Sequence, residues 1–290
     1  MTVDVPFFWV DAFTDRPFGG NPAGVCLLDR PADPRWMQRL AFELGLSETA
    51  YLWPGSSAGD SDGDDHRWSL RWFTPTIEVD LCGHATLASA QALRDAGRAV
   101  DGQMLSFTTR SGLLTARLGG DVIELDLPAA TPRPVDPPPL PAGWPVVAAF
   151  EGGDDLVVEL PDAAAVRSLV PDPAIMDALP YRAVVVTAAG DGPEGDGPAG
   201  DGPEGDGVDY VLRVFGCGVG IEEDPVTGSA QCALGPYWAG RLGRTVLQAA
   251  QLSARAGRLR VTVAGDRVGV AGGAVTVLRG TVTGPSPDGR

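Results

Sequence analysis

Two segments, CGHATLASAQAL (82–93) and DPVTGSAQCALGPYW (224–238), constrain the fold more than anything else in the chain. Each follows a strand-like run and a tight glycine-containing turn, and each opens a helix made mostly of Ala, Ser, Thr, Gly and Leu. A helix on a protein surface keeps one polar side. A helix that is small nearly all the way round is best explained as buried, with sheet wrapped about it. One such helix lies on each side of the proline-rich stretch TPRPVDPPPLPAGWP (131–145). The pattern predicts a duplicated architecture of two strand-rich halves, each holding a central helix.

The rest of the chain supports this reading. VDVPFFWVDAF, VCLL, the segment after Gly45, RWSLRWF, SFTTRSGLLTARL and DVIELDLP read as strands in the first half. PVVAAFEG, DDLVVEL, YRAVVVTA, DYVLRVFG and the run RLRVTVAGDRVGVAGGAVTVLRGTV do so in the second. Between them, Asp33 as N-cap, Pro34 at the first helical position and Gly45 as terminator delimit a helix. Trp36, Leu40 and Leu44 fall on one side of it. A further helix is expected over about Gly83–Gly97, and AAAVRSLV and PDPAIMDALP add short pieces. Strands outnumber helices and the order is mixed, which predicts an α+β fold rather than a doubly wound parallel sheet. The expected halves are residues 1–130 and 146–278, joined by the linker 131–145, with 279–290 returning to complete the first. GSSAGDSDGDDH (55–66) reads as a polar hairpin tip with a solvated His66. The low-complexity repeat across 190–207 cannot bury apolar surface and reads as a disordered loop.

Charge narrows the function. The formal net charge is −16 and all 22 basic residues are arginine. There is no basic stripe to engage nucleic acid. Without lysine, neither a pyridoxal-phosphate Schiff base nor a P-loop is available. No apolar run approaches the ~18 residues of a membrane span, and MTVDVPFFWV has no signal-peptide pattern, so the expected location is the cytoplasm. The four cysteines, Cys26, Cys82, Cys217 and Cys232, form no CxxC pair and read as free thiols; with His66 and His84 the only histidines, a zinc centre is not expected.

Helix N-termini offer unpaired N–H groups and a partial positive charge, so they suit a carboxylate or phosphate. Gly83 with His84, and Asp224, Thr227, Gly228 and Ser229, stand at the two small-residue helix starts. Taken singly these are ordinary turn and capping residues; as a matched pair they suggest two helix ends gripping a small anion in one cleft. GLSETAYLWP (45–54) poses a second question. As a strand it puts Glu48 on the same face as Leu46, Ala50 and Leu52. The carboxylate is either a strand-edge partner for an arginine such as Arg71, or a desolvated acid/base group.

FGGNPAGV (18–25), LSETAYL (46–52), RWFTPTIEVDLCGHATLA (71–88), GIEEDPVTGSAQCALG (220–235) and the ending RLRVTVAGDRVGVAGGAVTVLRG occur in one order at suitable separations. Together, from about Val5 to Val282, they resemble the PhzF-like phenazine-biosynthesis family, which shares its fold with diaminopimelate epimerase. The resemblance implies two similar domains, each a β-barrel-like mixed sheet around a buried helix. It also implies a site in the cleft between them, no cofactor, no metal and a homodimer. The family's founding activity isomerises a dihydro-hydroxyanthranilate by moving a proton between ring carbons. By the same resemblance Glu48 is the acid/base residue, His84, Asp224 and Ser229 line the site, and Asn21, Gly83, Gly228 and Thr227 are walls or backbone donors. The substrate class is then a small anionic, carboxylate-bearing metabolite. Two other functions stay open: a two-thiol racemase or epimerase of an amino or hydroxy acid, and a non-catalytic small-molecule binder of the same fold.

Overall fold

The computed structural model describes residues 2–55, 67–192, 207–217 and 222–285. The hairpin tip with His66 and most of the repeat across 190–207 lie outside the described residues. In chain order the elements are β1 (Thr2–Ala12), β2 (Asn21–Leu27), α1 (Pro34–Leu44), β3 (Glu48–Pro54), β4 (Arg67–Phe73), β5 (Glu78–Val79), α2 (Gly83–Asp95), β6 (Met104–Thr109), β7 (Gly112–Gly119), β8 (Val122–Pro128) and β9 (Arg133–Pro134). There follow β10 (Ala148–Gly152), β11 (Asp155–Glu159), α3 (Ala163–Ser168), α4 (Pro173–Asp177), β12 (Ala183–Gly192), β13 (Val208–Gly216), α5 (Gln231–Leu242), β14 (Val246–Gln251), β15 (Gly257–Ala264), β16 (Arg267–Gly272) and β17 (Ala274–Pro285). The fold is α+β, built mostly of strand.

The chain forms two compact units. The first comprises the residues up to Phe18, Pro22–Asp126 and the chain from Gly272 on. Its first and last strands pair antiparallel along their whole length, from Thr2 opposite Pro285 to Ala12 opposite Ala274, with an irregularity between Trp9 and Val10. β2 runs parallel to β3, β3 antiparallel to β4, and β4 parallel to β6; β6, β7 and β8 form a meander. The sequence reading ran β6 and β7 together, but Arg110–Ser111 turn the chain between them. The sheet bends around α2, which packs on β1, β3, β7 and β17.

Its other face is covered by α1. There the Asp33 carboxylate accepts from the Arg35 N–H at 2.8 Å, Pro34 opens the helix, and Gly45 at φ +62° closes it. That left-handed conformation costs glycine nothing. Met37 and Ala41 of α1 join Phe7, Cys26, Tyr51 and Phe73 in one apolar cluster, with Trp36, Leu40 and Leu44 packed at its rim. β3 is therefore buried on both faces. Tyr51 donates to the Met37 carbonyl at 2.6 Å on the α1 side, and Glu48, of opposite parity, points to the α2 side.

The second unit comprises Gly19–Asn21 and Leu127–Ala271. Strands β10 to β16 pair in chain order, with parallel joins at β11–β12 and β13–β14 and antiparallel pairing elsewhere. Val166 of α3 and Met176 of α4 cover a face carrying Leu156, Val158, Val184, Val186 and Phe215. The proline-rich stretch belongs to this unit: Pro134 pairs opposite Phe150, and Val135, Leu140 and Trp144 pack on the same cluster. The opposite face takes α5, whose Trp238 indole donates to Thr187 Oγ1 at 3.0 Å.

Small residues let this helix come close. A Cβ on Gly152 of β10 would stand 2.2 Å from the Ala233 Cβ. Pro236 inside α5 has no N–H to give the Cys232 carbonyl, and that carbonyl accepts instead from the Ala130 N–H at 2.8 Å.

Candidate active site

Glu48 is the first residue of β3, and His84 is the second of α2. Packing α2 against β3 brings His84 Nε2 to 3.2 Å from Glu48 Oε2. Glu48 stands opposite Ala23 of the parallel neighbour β2, while the other side of β3 is taken by β4, so it is not on an edge strand. The expected alternative partner, Arg71, instead binds Glu78 with both arms, at 2.6 and 2.7 Å. The group facing Glu48 is thus an imidazole.

Burial favours the uncharged form of that imidazole. Burial pushes the His84 pKa down to about 3, because a desolvated ring resists taking a charge. The position at a helix N-terminus acts in the same sense. Two further groups close around the ring: Ser47 Oγ lies 3.3 Å from Nε2, and Cys82 Sγ lies 3.5 Å from Nδ1. A neutral ring carries one N–H and one lone pair. With the Cys82 thiol donating to Nδ1, Nε2–H faces the Ser47 hydroxyl; with Nδ1–H facing sulfur, Nε2 accepts from that hydroxyl. Glu48 Oε2 lies 3.2 Å from Nε2.

The second group of residues lies in the other unit. Asn21 is fully buried, and its side-chain amide donates to Asp224 Oδ1 at 2.7 Å and to the Val226 carbonyl at 2.8 Å. The Thr227 hydroxyl donates to Asp224 Oδ2. Gln251, at the end of β14, ties the turn from within: its Oε1 accepts from the Thr227 N–H at 2.7 Å, and its Nε2 donates to the Asp224 carbonyl at 2.7 Å. Asn21 is held in place because the carbonyls of Gly19 and Gly20 both accept from the Arg255 guanidinium at 2.8 Å.

Burial raises the Asp224 pKa to about 6 against the opposing pull of the Thr227 and Asn21 bonds. Asp224 is therefore a carboxyl held at both oxygens.

The structure corrects the expected start of the second helix. α5 begins at Gln231, after a turn through Gly228, Ser229 and Ala230, and its N-cap Ala230 makes no side-chain bond. Neither Asp224 nor Thr227 caps it. Ser229 Oγ is contacted by Arg182 Nη2 at 3.3 Å, and Arg182 is itself clamped by the buried Asp155 at 2.9 and 2.5 Å. Gly83 is the first residue of α2, and Gly228 sits buried in the turn before α5.

The sequence reading did not single out Ser47, Gln251 or Arg182. Ser47 adjoins Glu48 and is the one of the three that proximity in sequence flags. Gln251 and Arg182 reach their partners only through strand pairing.

Comparison with known proteins agrees with this architecture. The family model described as "Phenazine biosynthesis-like protein" matches residues 10–280. An uncharacterized isomerase of Pseudomonas aeruginosa is 43% identical over 271 residues, covering 91% of this chain and 93% of its own. Among solved structures, a phenazine biosynthesis protein of the PhzF family from Enterococcus faecalis superposes with a TM-score of 0.82 at 36% identity, covering 97% of this chain and 99% of that one. A hydroxyproline epimerase from Agrobacterium vitis shares the fold at a TM-score of 0.61 and 13% identity, over 99% of this chain and 94% of its own.

Proposed function

Because the chain belongs to the phenazine biosynthesis-like (PhzC-PhzF) family, whose fold is that of the diaminopimelate epimerase group, we propose that it is an isomerase that moves a proton between carbons of a small carboxylate-bearing metabolite, with Glu48 as the group that takes and returns it. The observation that carries this reading is the pairing of a largely buried Glu48 with the neutral ring of His84. A carboxyl group so placed is positioned to work as base and then as acid. Such a group removes a proton from one carbon as carboxylate and delivers it to a second carbon as acid. His84 keeps its own proton throughout, so no net charge is created on the ring.

Asp224 supports the reading from its own unit. Fixed at both oxygens and shifted toward neutrality, it suits a fixed dipole that orients a substrate amine or hydroxyl better than a mobile base. The two-thiol alternative is disfavoured because burial pushes the Cys232 thiol up to about 11, far from the thiolate such chemistry needs.

The test is deuterium incorporation. A panel of small amino and hydroxy carboxylates, cyclic and acyclic, is incubated with the protein in D₂O and read by mass spectrometry. The wild type is expected to label at least one compound, and Glu48→Gln to slow labelling by about 10²–10⁴-fold, the usual worth of a general acid/base. Labelling by Glu48→Gln at the wild-type rate would overturn the assignment. Labelling abolished by iodoacetamide and protected by substrate would favour the thiols.

A further inference from the structure

Glu48, Cys82 and His84 present one oxygen, one sulfur and one nitrogen donor whose ligating atoms all lie within 4.8 Å of one another. We propose that this triad is also a binding site for a soft divalent cation of the zinc type, taken up as an inhibitor rather than as a resident cofactor.

The geometry supports it. In a tetrahedral zinc site with Zn–S near ~2.3 Å and Zn–N or Zn–O near ~2.0–2.1 Å, neighbouring donors stand roughly 3.3–3.6 Å apart. Here Cys82 Sγ is 3.5 Å from His84 Nδ1 and Glu48 Oε2 is 3.2 Å from Nε2, so each donor already stands at that spacing from one of the two ring nitrogens, and all three donors lie within 4.8 Å of one another. One ring nitrogen binds the ion, and side-chain rotations on the order of 1 Å draw the other two donors onto it. Ser47 Oγ, 3.3 Å from Nε2, or a water completes four-coordination.

Donor chemistry supports it too. An imidazole binds such an ion through the lone pair of one ring nitrogen. A thiolate with an imidazole selects zinc over magnesium or calcium, which prefer all-oxygen shells. On binding, the Cys82 thiol releases its proton to solvent, so two anionic ligands meet a dication and the buried cluster ends neutral. Two of the three donors share one helix start, two residues apart, and the third comes from a strand packed on that helix. An ion held there would occupy the lone pairs with which Glu48 exchanges protons. Zinc should therefore silence the proton transfer proposed above; the binding itself is independent of what the substrate is.

Cobalt(II) is the probe, because a thiolate ligand gives it a near-ultraviolet charge-transfer band and four-coordination gives intense visible bands. Titrating chelator-treated protein with CoCl₂ should produce both at one equivalent, with ZnCl₂ displacing them. Cys82→Ser should abolish the charge-transfer band and weaken zinc binding, measured calorimetrically, by at least about tenfold. Glu48→Gln should weaken zinc binding comparably while keeping the band. Cys232→Ser should leave both unchanged. Thermal midpoints of all variants establish that they fold; if Cys82→Ser does not, the band's position and stoichiometry in Glu48→Gln and Cys232→Ser carry the test. No charge-transfer band in the wild type, a band that survives in folded Cys82→Ser, or a band lost in Cys232→Ser would each overturn the proposal. Because the readout is spectroscopic, it separates from any failure of the isomerase reading.

Discussion

Helices α2 and α5 are written in nearly the same alphabet yet are used differently. Every residue of α2 from Gly83 to Leu93 is buried, and its two hydroxyls are absorbed internally: Thr86 and Ser89 each donate to the carbonyl four residues back, at 2.6 Å. α5 is buried along one side only, at Gln231, Ala233, Leu234, Gly235 and Trp238. Its small residues serve a different purpose, the close approach of β10 at Gly152 and of Val261 to Gly235. Smallness in a helix thus reports how near its neighbours come, and only with burial on every side does it report enclosure. The difference extends to the starts. α2 opens directly into a histidine that meets an acid, whereas α5 is preceded by a turn stitched by Asn21, Thr227 and Gln251 around a carboxyl.

The strongest way to break this contrast is chemical. Glu48→Gln is expected to reduce deuterium exchange by about 10²–10⁴-fold, whereas Asp224→Asn, which keeps the shape of the held side chain, should cost far less; equal losses would dissolve the distinction between a proton carrier and a fixed dipole. The next is steric. Ala88→Leu in α2 places three extra carbons where exposure is 0%, and should destabilise by about 3 kcal/mol, the upper part of the overpacking range. Ala239→Leu, at a half-buried position of α5, should cost clearly less, within about 1 kcal/mol. Urea midpoints compare the two directly.

Gly152→Ala probes the close side of α5 and is expected to cost about 1–2 kcal/mol, since its new methyl meets Ala233; an unchanged midpoint would show that β10 yields.

The smallest expected effect is in pH dependence. Folding raises the Asp224 pKa to about 6, above the ~3.9 of an unfolded aspartate. Between about pH 4 and 6 the folded state holds a proton that the unfolded state has released. This residue's contribution therefore declines as pH rises through that window and levels off above it. Asp224→Asn should flatten that portion of the stability profile, measured by urea unfolding at pH 4, 5, 6 and 7.

What could be read from sequence follows the range of the interactions. The caps of α1, the alternation Trp68–Leu70–Trp72 in β4 and the limits of α2 are set by neighbours a few residues away, and local patterns name them. The start of α5 was misplaced because Thr227 and Ser229 are good capping residues in isolation, but their polar groups are drawn off by Asp224 and Arg182. The tie between Asn21 and Asp224 spans 203 residues and leaves no trace in spacing. For Glu48 the alternation correctly flagged an odd carboxylate. It missed that both faces of β3 are covered, because Tyr51 is buried by a helix whose docking no pattern within the strand records.

The pairing of β1 with β17 has a consequence for biosynthesis. A ribosome delivers Thr2–Ala12 first and Ala274–Pro285 last among the described strands. The partner that closes the first unit emerges only after every strand of the second has been made. Order of translation and order of completion are therefore reversed: the second unit, bounded at Ala271, can finish its sheet while the older half still waits for its final strand. A nascent chain stalled short of residue 274 would expose the bare edge of β1, the kind of unpaired strand that chaperones shield and aggregates recruit.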